Sequence, residues 1–386
     1  MLSARELDLG FSGRTIFGAR SVSRAGEIAA GLGAARAFLI TDPGVAANGI
    51  SGLVVDALEE SEIETTVFDA VTPNPTIYDI ESGGALLRGL GTEDTLVVGV
   101  GGGSAMDAAK GVALQATNGG RATDLDFRNE PAHPGLPVVA VPTTAGTGAE
   151  TNGFGVVTDP PAGRKFYAGH ESVKPVAAIL DPELTTGLPP GATAATGVDA
   201  LVHALEALMS ANANPYAEGL ALQVVRVVHA WLPAAVADGN DLEARSQMLL
   251  AAHLAGLAFA SGTGLGLCHA LAHPLGARVG AVHGLALGAV LPDVLGFNLS
   301  TSADKLALAA HSLGAGHASA GERENAEAAI QALESLVYGV LGDIRITLPD
   351  ELRPALVQDT LDDLVLANAP RKPSAAEVEE LLRAVR

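Results

Sequence analysis

The sequence predicts two domains, an α/β N-terminal domain over residues 1–188 and an all-α C-terminal domain over 189–386. Three observations carry this. Up to residue 188, short β-branched runs alternate with alanine-rich amphipathic stretches, the rhythm of parallel βαβ units. After LPPGATAATG (188–197) the strand signals stop and helical patterning fills the remainder, with the Pro-Pro pair as the boundary. Finally, 48% hydrophobic against 17% charged residues in 386 positions supply the core of one large or two medium domains and exclude intrinsic disorder.

The predicted strands are 37–41 (AFLIT), 64–68 (ETTVF), 95–100 (TLVVGV), 137–141 (PVVAV) and 176–180 (VAAIL). Helical stretches lie between them near 23–31, 49–60, 78–89 and 105–117. Residues 154–169 carry two short apolar runs around DPPAG and read as a β-hairpin. In the second half, helix stops are expected at Pro233, at Gly239 and Asn240, at Pro354 and at Pro370. The closing SAAEVEELLRAVR opens with a capping box, Ser374 with Glu377. No Asp, Glu, Lys or Arg occurs from Ser246 to Ala277, yet SGTGLG at 261–266, Pro274 and three histidines (His253, His269, His273) interrupt that stretch. It reads as buried helices rather than as a membrane span.

With 23 basic and 44 acidic residues the formal net charge is −21, and no Lys/Arg run exists. Nucleic acid and anionic membrane surfaces are therefore not expected partners, since both are bound through basic patches. The single cysteine, Cys268, cannot form an internal disulfide, and the opening MLSARELDLGFSGRT carries charges where a signal peptide needs an apolar run. A reducing, cytoplasmic setting is the expectation.

Strand TLVVGV runs into GGGSAMDAAK, placing Gly101, Gly102 and Gly103 at a strand-to-helix turn with Ser104 as the expected N-cap. Glycines let backbone approach a phosphate, and a helix N-terminus offers unpaired amides with partial positive charge. The same turn also serves tight packing, and Asp107 reads as a first-turn charge complementing the helix dipole. A second loop, VPTTAGTGAE, holds Thr143, Thr144 and Thr147, either as nucleotide contacts or as an ordinary polar turn. Two such loops at the carboxyl ends of different strands sit where open α/β sheets bind nucleotides. Asp42 closes AFLIT as either a ribose acceptor favouring NAD over NADP or a helix N-cap.

In the helical half, Asp199 and His203 in GVDALVHALE are four apart, on one helix face. CHALAHPLGARVGAVHG then carries His269, His273 and His283, the first two sharing a face; Pro274, Gly276 and Gly280 are expected to break the helix before His283. One carboxylate and several neutral imidazoles converging from different helices make a divalent-metal site. They lie in the least charged part of the chain, where unpaired ionisable groups are costly to bury. His253, His311 and His317 read as structural, Cys268 as packing, and Glu206 as a surface or supporting charge.

Together these segments resemble the iron-dependent (type III) alcohol dehydrogenases, of the dehydroquinate synthase-like fold: GGGSAMDAAK, VPTTAGTGAE, LDPELTTGLPP, GVDALVHALEA, CHALAHPLGA and HG at 283 occur in order over most of the chain. The resemblance implies Asp199, His203, His269 and His283 as ligands of Fe(II), zinc or another divalent ion, and His273 as the proton relay beside the nicotinamide. It implies cofactor contacts at Asp42, at the stretch Thr72, Pro73, Asn74 and Pro75, and at Gly102, Gly103, Ser104, Thr143, Thr144, Thr147 and Lys165. Asp42 fits the NAD-preferring members. One departure is Asn152, Gly153 and Phe154, where the family's polar contact has no clear counterpart. The implied reaction is hydride transfer between a small alcohol or aldehyde and the nicotinamide; the sparse charge and abundant apolar residues of the chain add the expectation of a homodimer or higher homo-oligomer. The alternative keeps the fold for an acidic oxo substrate such as maleylacetate and leans on Arg278, the one basic residue in the His-rich segment. A non-catalytic nucleotide- or metal-binding subunit is a third reading.

Overall fold

A computed structural model of the chain describes residues 13–385. Residues 13–188 with 239–250 form one compact unit, and 189–238 with 251–385 form the other. The segment 239–250 thus returns to the α/β unit: Leu249 packs on Ala178 and Leu180, and the Arg245 guanidinium donates to the carbonyls of Gly239 and Leu188.

The α/β unit is built on six parallel strands, β1 (Arg14–Phe17), β2 (Arg36–Ile40), β3 (Glu64–Phe68), β4 (Thr95–Gly101), β5 (Val138–Pro142) and β8 (Ala177–Leu180), in the order β1-β8-β5-β4-β2-β3. Between β5 and β8 lies the expected hairpin, β6 (Phe154–Asp159) and β7 (Arg164–Gly169), antiparallel in register Phe154↔Gly169 through Asp159↔Arg164. Alternate residues of the central strands feed opposite faces. Phe38, Ile40 and Val97 join Ile80 and Leu87 of α4 (Ile77–Leu90) and Val112 of α5 (Gly103–Asn118). Leu39, Leu96 and Val98 join Ile28 of α1 (Ala25–Gly31) and Val54 and Leu58 of α3 (Ile50–Glu59). The sheet is therefore a middle layer covered on both sides, as an all-parallel sheet requires. The chain reverses its direction of travel across the sheet between β2 and β4, so the helices after these two strands leave to opposite faces, the arrangement that opens a crevice at their carboxyl ends.

Two elements escaped the sequence reading. Strand β1 shows one buried residue in four, Ile16, and so has no alternation to detect. The short α2 (Pro43–Ala47) is started by Asp42, whose Oδ1 accepts from the amides of Gly44 and Val45.

The helical unit comprises α6 (Pro190–Met209), α7 (Pro215–Ala237), the second part of α8 (Leu242–Ala258), α9 (Leu267–Val279), α10 (His283–Ser312), α11 (Glu322–Leu341), α12 (Arg353–Asp362) and α13 (Ala375–Ala384). Helix α13 opens on the Ser374–Glu377 capping box. Three expected stops are corrected. Pro233 lies inside α7 and Pro274 inside α9, while Pro354 sits at the start of α12. A proline removes one amide donor, a loss that a helix can absorb when its neighbours bury it, and Pro274 is buried. Gly276 likewise does not break α9, which ends at Gly280 in a left-handed conformation (φ 69°). Helices α7 and α10 are each long and apolar enough to cross a bilayer; α7 packs on α6, and α10 packs along α11, α6 and α9.

Candidate active site

At the switch point of the sheet, β4 ends in Gly101, whose φ of +148° is glycine's territory. Helix α5 then begins at Gly103 with Gly102 as N-cap and no side-chain cap, correcting the expected cap at Ser104. Gly102 has no side chain to cap the first-turn amides, which leaves them available to an anion among the described residues. The second loop lies directly against this turn. Thr143 donates its amide to Gly101 O at 2.9 Å, a side chain at Gly102 would meet Thr144, and one at Gly103 would meet Thr147 Cγ2 at 2.8 Å. Thr144 Oγ1 is buried and unsatisfied, an orphaned polar group of the kind a ligand hydroxyl answers.

Asn74, held at φ +55°, donates its amide to Ser104 Oγ (3.2 Å) and accepts from Lys165 Nζ (2.7 Å). Burial pulls the Lys165 ammonium below the usual lysine value, with Asp107 opposing. Asp42 is the N-cap of α2, and its Oδ2 lies beside the Gly101 turn. These nine of the twelve expected cofactor residues thus lie around the carboxyl ends of β2, β4 and β5, whereas the Thr72 hydroxyl is engaged by Asp79 and the Pro75 carbonyl accepts from Thr158 N.

What fixes the two loops is a residue the sequence reading passed over. Lys110 of α5 is fully buried and donates to Ala149 O (2.9 Å), Asn152 Oδ1 (3.1 Å) and Phe154 O, with Asp107 Oδ1 at 3.3 Å. Asp107 also accepts from Val156 N at 3.0 Å, so it is a tether to β6 rather than a dipole charge alone. Asn152, the point of departure from the family pattern, is the Lys110 partner, and Phe154 packs edge-on against Tyr167.

In the helical unit, α6 is buried along nearly its whole length and brings Asp199 and His203 inward together. Asp199 Oδ1 lies 3.3 Å from His203 Nε2, 3.5 Å from His269 Nε2 and 3.7 Å from His283 Nε2. Four donors each about 2.1 Å from one ion at tetrahedral angles stand about 3.4 Å apart, so the spacing suits a single divalent metal. Asp199, His203 and His269 form the tight buried part of this cluster, while His283, the first residue of α10, is 39% exposed and completes its rim. Asp199 Oδ1 and His269 Nε2 are buried without a hydrogen bond, as atoms reserved for a cation would be. Burial pushes the Asp199 carboxyl up, but His203, His269 and His283 outweigh it and hold it well below the usual range. Burial pulls His269 down, yet Glu206 and Asp199 raise it to about 9. A metal would take the place of that proton on Nε2. His203 stacks on His269 with ring centres 4.7 Å apart, and Phe259, in a π-helical turn, packs on its other side at 4.9 Å.

His273, one turn after His269, stands beside the cluster with its ring stacked on His283 at 5.7 Å. Its Nδ1 is 2.7 Å from Asp363 Oδ2, and Asp363 Oδ1 accepts from Val365 N. No sequence pattern announced Asp363, which lies 90 residues from its partner. Arg278 is engaged by Asp359 through Nε and Nη2, the latter bond 3.0 Å long. Cys268 is buried, as expected of a packing residue.

Two family models cover almost the whole chain, iron-containing alcohol dehydrogenase over residues 12–182 and the C-terminal domain of the Fe-containing alcohol dehydrogenase family over 193–386. The chain is 36% identical to a probable alcohol dehydrogenase, EutG, of Salmonella typhimurium, over 96% of this chain and 92% of that one. It is 33% identical to the NAD-dependent methanol dehydrogenase of Bacillus methanolicus, over 96% and 97% respectively. Among solved structures, 1,3-propanediol oxidoreductase superposes with a TM-score of 0.94 at 34% identity, over 99% of this chain and 100% of the other. Both halves, the parallel-sheet unit and the helical unit, therefore belong to one lineage: the chain is a member of the iron-containing alcohol dehydrogenase family, an NAD-linked oxidoreductase acting on alcohols.

Proposed function

We propose that the chain interconverts a small neutral alcohol and its aldehyde, with Asp199, His203, His269 and His283 holding iron and with NAD on the loops of the α/β unit. The observation that carries this reading is the convergence of one carboxylate oxygen and three imidazole nitrogens at metal-ligand spacing. Iron, when bound, supplies a Lewis acid for the substrate oxygen, and NAD supplies the hydride acceptor. The protein's own part is to bind, orient and move a proton. The uncapped amides of Gly103 and Ser104 take the pyrophosphate, with Thr143, Thr144, Thr147, Asn74 and Lys165 around it, and the Asp42 carboxylate accepts from ribose hydroxyls and repels a 2′-phosphate. His273 moves the hydroxyl proton through Nε2, its Nδ1 being held by Asp363.

The division of labour follows residues 1–188 for nucleotide and 189–386 for metal and substrate. A homodimeric cytoplasmic enzyme without nucleic acid or membrane partners completes the reading, consistent with a net charge of −21 and a lone buried thiol. The acidic-substrate alternative loses support from the Arg278–Asp359 pair, which neutralises the cation it relied on. The deciding experiment follows NADH at 340 nm in protein reconstituted anaerobically with Fe(II), and in chelated protein, across short alcohols, diols and hydroxy acids. Iron-dependent oxidation of neutral alcohols is the expected result. Turnover confined to hydroxy acids, lost in Arg278→Ala, would replace it with the alternative.

A further inference from the structure

Helix α9, which carries His269, has no cap of its own: its N-cap residue is Gly266, which has no side chain to offer the first-turn amides. The cap comes from another helix. Glu206, two turns beyond Asp199 on α6 and on the same face, reaches across. Its Oε2 accepts from Gly266 N (2.8 Å) and lies 2.6 Å from His269 Nδ1; its Oε1 accepts from Cys268 N (2.6 Å) and lies 3.4 Å from His269 N. The side chain is 4% exposed. A Cβ at position 266 would stand 3.1 Å from Oε1, so glycine is what lets the carboxylate come this close.

All four groups around the two oxygens are donors if Nδ1 carries a proton, and a carboxylate is the side chain that accepts from all of them. With Nδ1 protonated, the lone pair of neutral His269 falls on Nε2, the atom aimed at Asp199 Oδ1. An amide at 206 cannot reproduce this. Either its NH2 meets the backbone amides, donor against donor, or it faces Nδ1 and drives the proton to Nε2, where it blocks the ligand position.

We propose that Glu206 is a positioning residue that couples the start of α9 to the ligand set: it fixes the tautomer and ring orientation of His269 and thereby sets how tightly the centre holds its metal. This rests on the reading that Asp199, His203, His269 and His283 hold the ion, and the test separates the two. Zn(II) and Co(II) are titrated into metal-free wild type, Glu206→Gln, Gly266→Ala and His269→Ala in competition with a chromophoric chelator, and the histidine tautomers are read by 15N NMR on the Zn(II)-loaded protein. Glu206→Gln is expected to bind both ions about 10- to 100-fold more weakly, the range for losing a ligand's hydrogen-bond partner, and to lose the Nδ1–H signal of His269. Its KM for NAD should stay that of wild type. Gly266→Ala, which displaces the carboxylate without removing it, is expected to weaken binding in the same direction and serves if Glu206→Gln does not fold. Wild-type affinity in both variants, with binding lost in His269→Ala, would overturn the role of Glu206 alone. Wild-type affinity in His269→Ala as well would overturn the ligand assignment beneath it.

Discussion

Replacing Lys110 by methionine tests how the nucleotide loops are held. Methionine keeps an unbranched stem of similar length in the fully buried channel and deletes the ammonium. The carbonyls of Ala149 and Phe154 and the amide oxygen of Asn152 then lose their donor, and Asp107 loses its cation. Asn152 keeps the Phe154 amide and Asp107 keeps the Val156 amide, so neither side chain is wholly stranded. Breaking a buried ion pair by removing one partner costs about 3–5 kcal/mol, and each unanswered buried acceptor about 1–3 kcal/mol, partly the same energy counted again. A net loss of about 3–5 kcal/mol is expected, a large share of a typical 5–15 kcal/mol stability. At about 2–4 °C per kcal/mol for a unit of this size, the melting temperature falls by about 6–20 °C. Calorimetry on the nucleotide-free protein measures this, and the double variant Asp107→Asn with Lys110→Met, which removes the stranded charge, should recover about 1–2 kcal/mol. A loss below about 1 kcal/mol in the single variant, or a double variant worse than the sum of both singles, would refute the reasoning.

His269→Ala should lose iron and turnover together, while His273→Ala should keep iron and lower kcat about 10²- to 10⁴-fold; metal analysis beside steady-state kinetics distinguishes them. Asp363→Asn, which leaves His273 in place but no longer holds Nδ1 with a carboxylate, should lower kcat about 10-fold or more with unchanged iron content, and Asp363→Glu should restore part of it. Asp42→Ser should raise kcat/KM for NADP relative to NAD, because it removes the charge that opposes a 2′-phosphate while the serine still caps α2. An unaltered cofactor ratio would mean that the carboxylate acts as a cap and nothing more.

Most of the architecture could be read from the chain because it is written locally. Strands β4 and β5 are β-branched runs ending at glycine or proline and β2 is a short apolar run, and each was legible to within a residue or two. Strand β1 was not, since RTIF buries Ile16 alone. The prolines misled where packing of the helix around them overrode local propensity: Pro274 is itself buried, and Pro233, though exposed, sits in a helix whose Leu232 and Ala235 are buried. In the site, Asp199, His203, His269 and His273 announce themselves by helical spacing. Glu206 was half visible, lying on the Asp199 face of α6, but its partners are the amides of a different helix. Asp363 and the Lys110 anchor depend on pairs 39 to 90 residues apart, and no period within one element encodes such a pair.

The return of residues 239–250 to the α/β unit bears on the order in which the chain acquires its structure. As the polypeptide leaves the ribosome, the six-stranded sheet has all its strands by Leu180, yet Ala178 and Leu180 still lack Leu249, and the Leu188 carbonyl still lacks the Arg245 guanidinium. The first unit reaches its final packing only after α6 and α7 have been synthesised. A polypeptide ended at residue 188 would carry a complete sheet with an uncovered apolar patch on β8, the kind of transiently exposed surface that makes a nascent chain prone to aggregate and that chaperones cover.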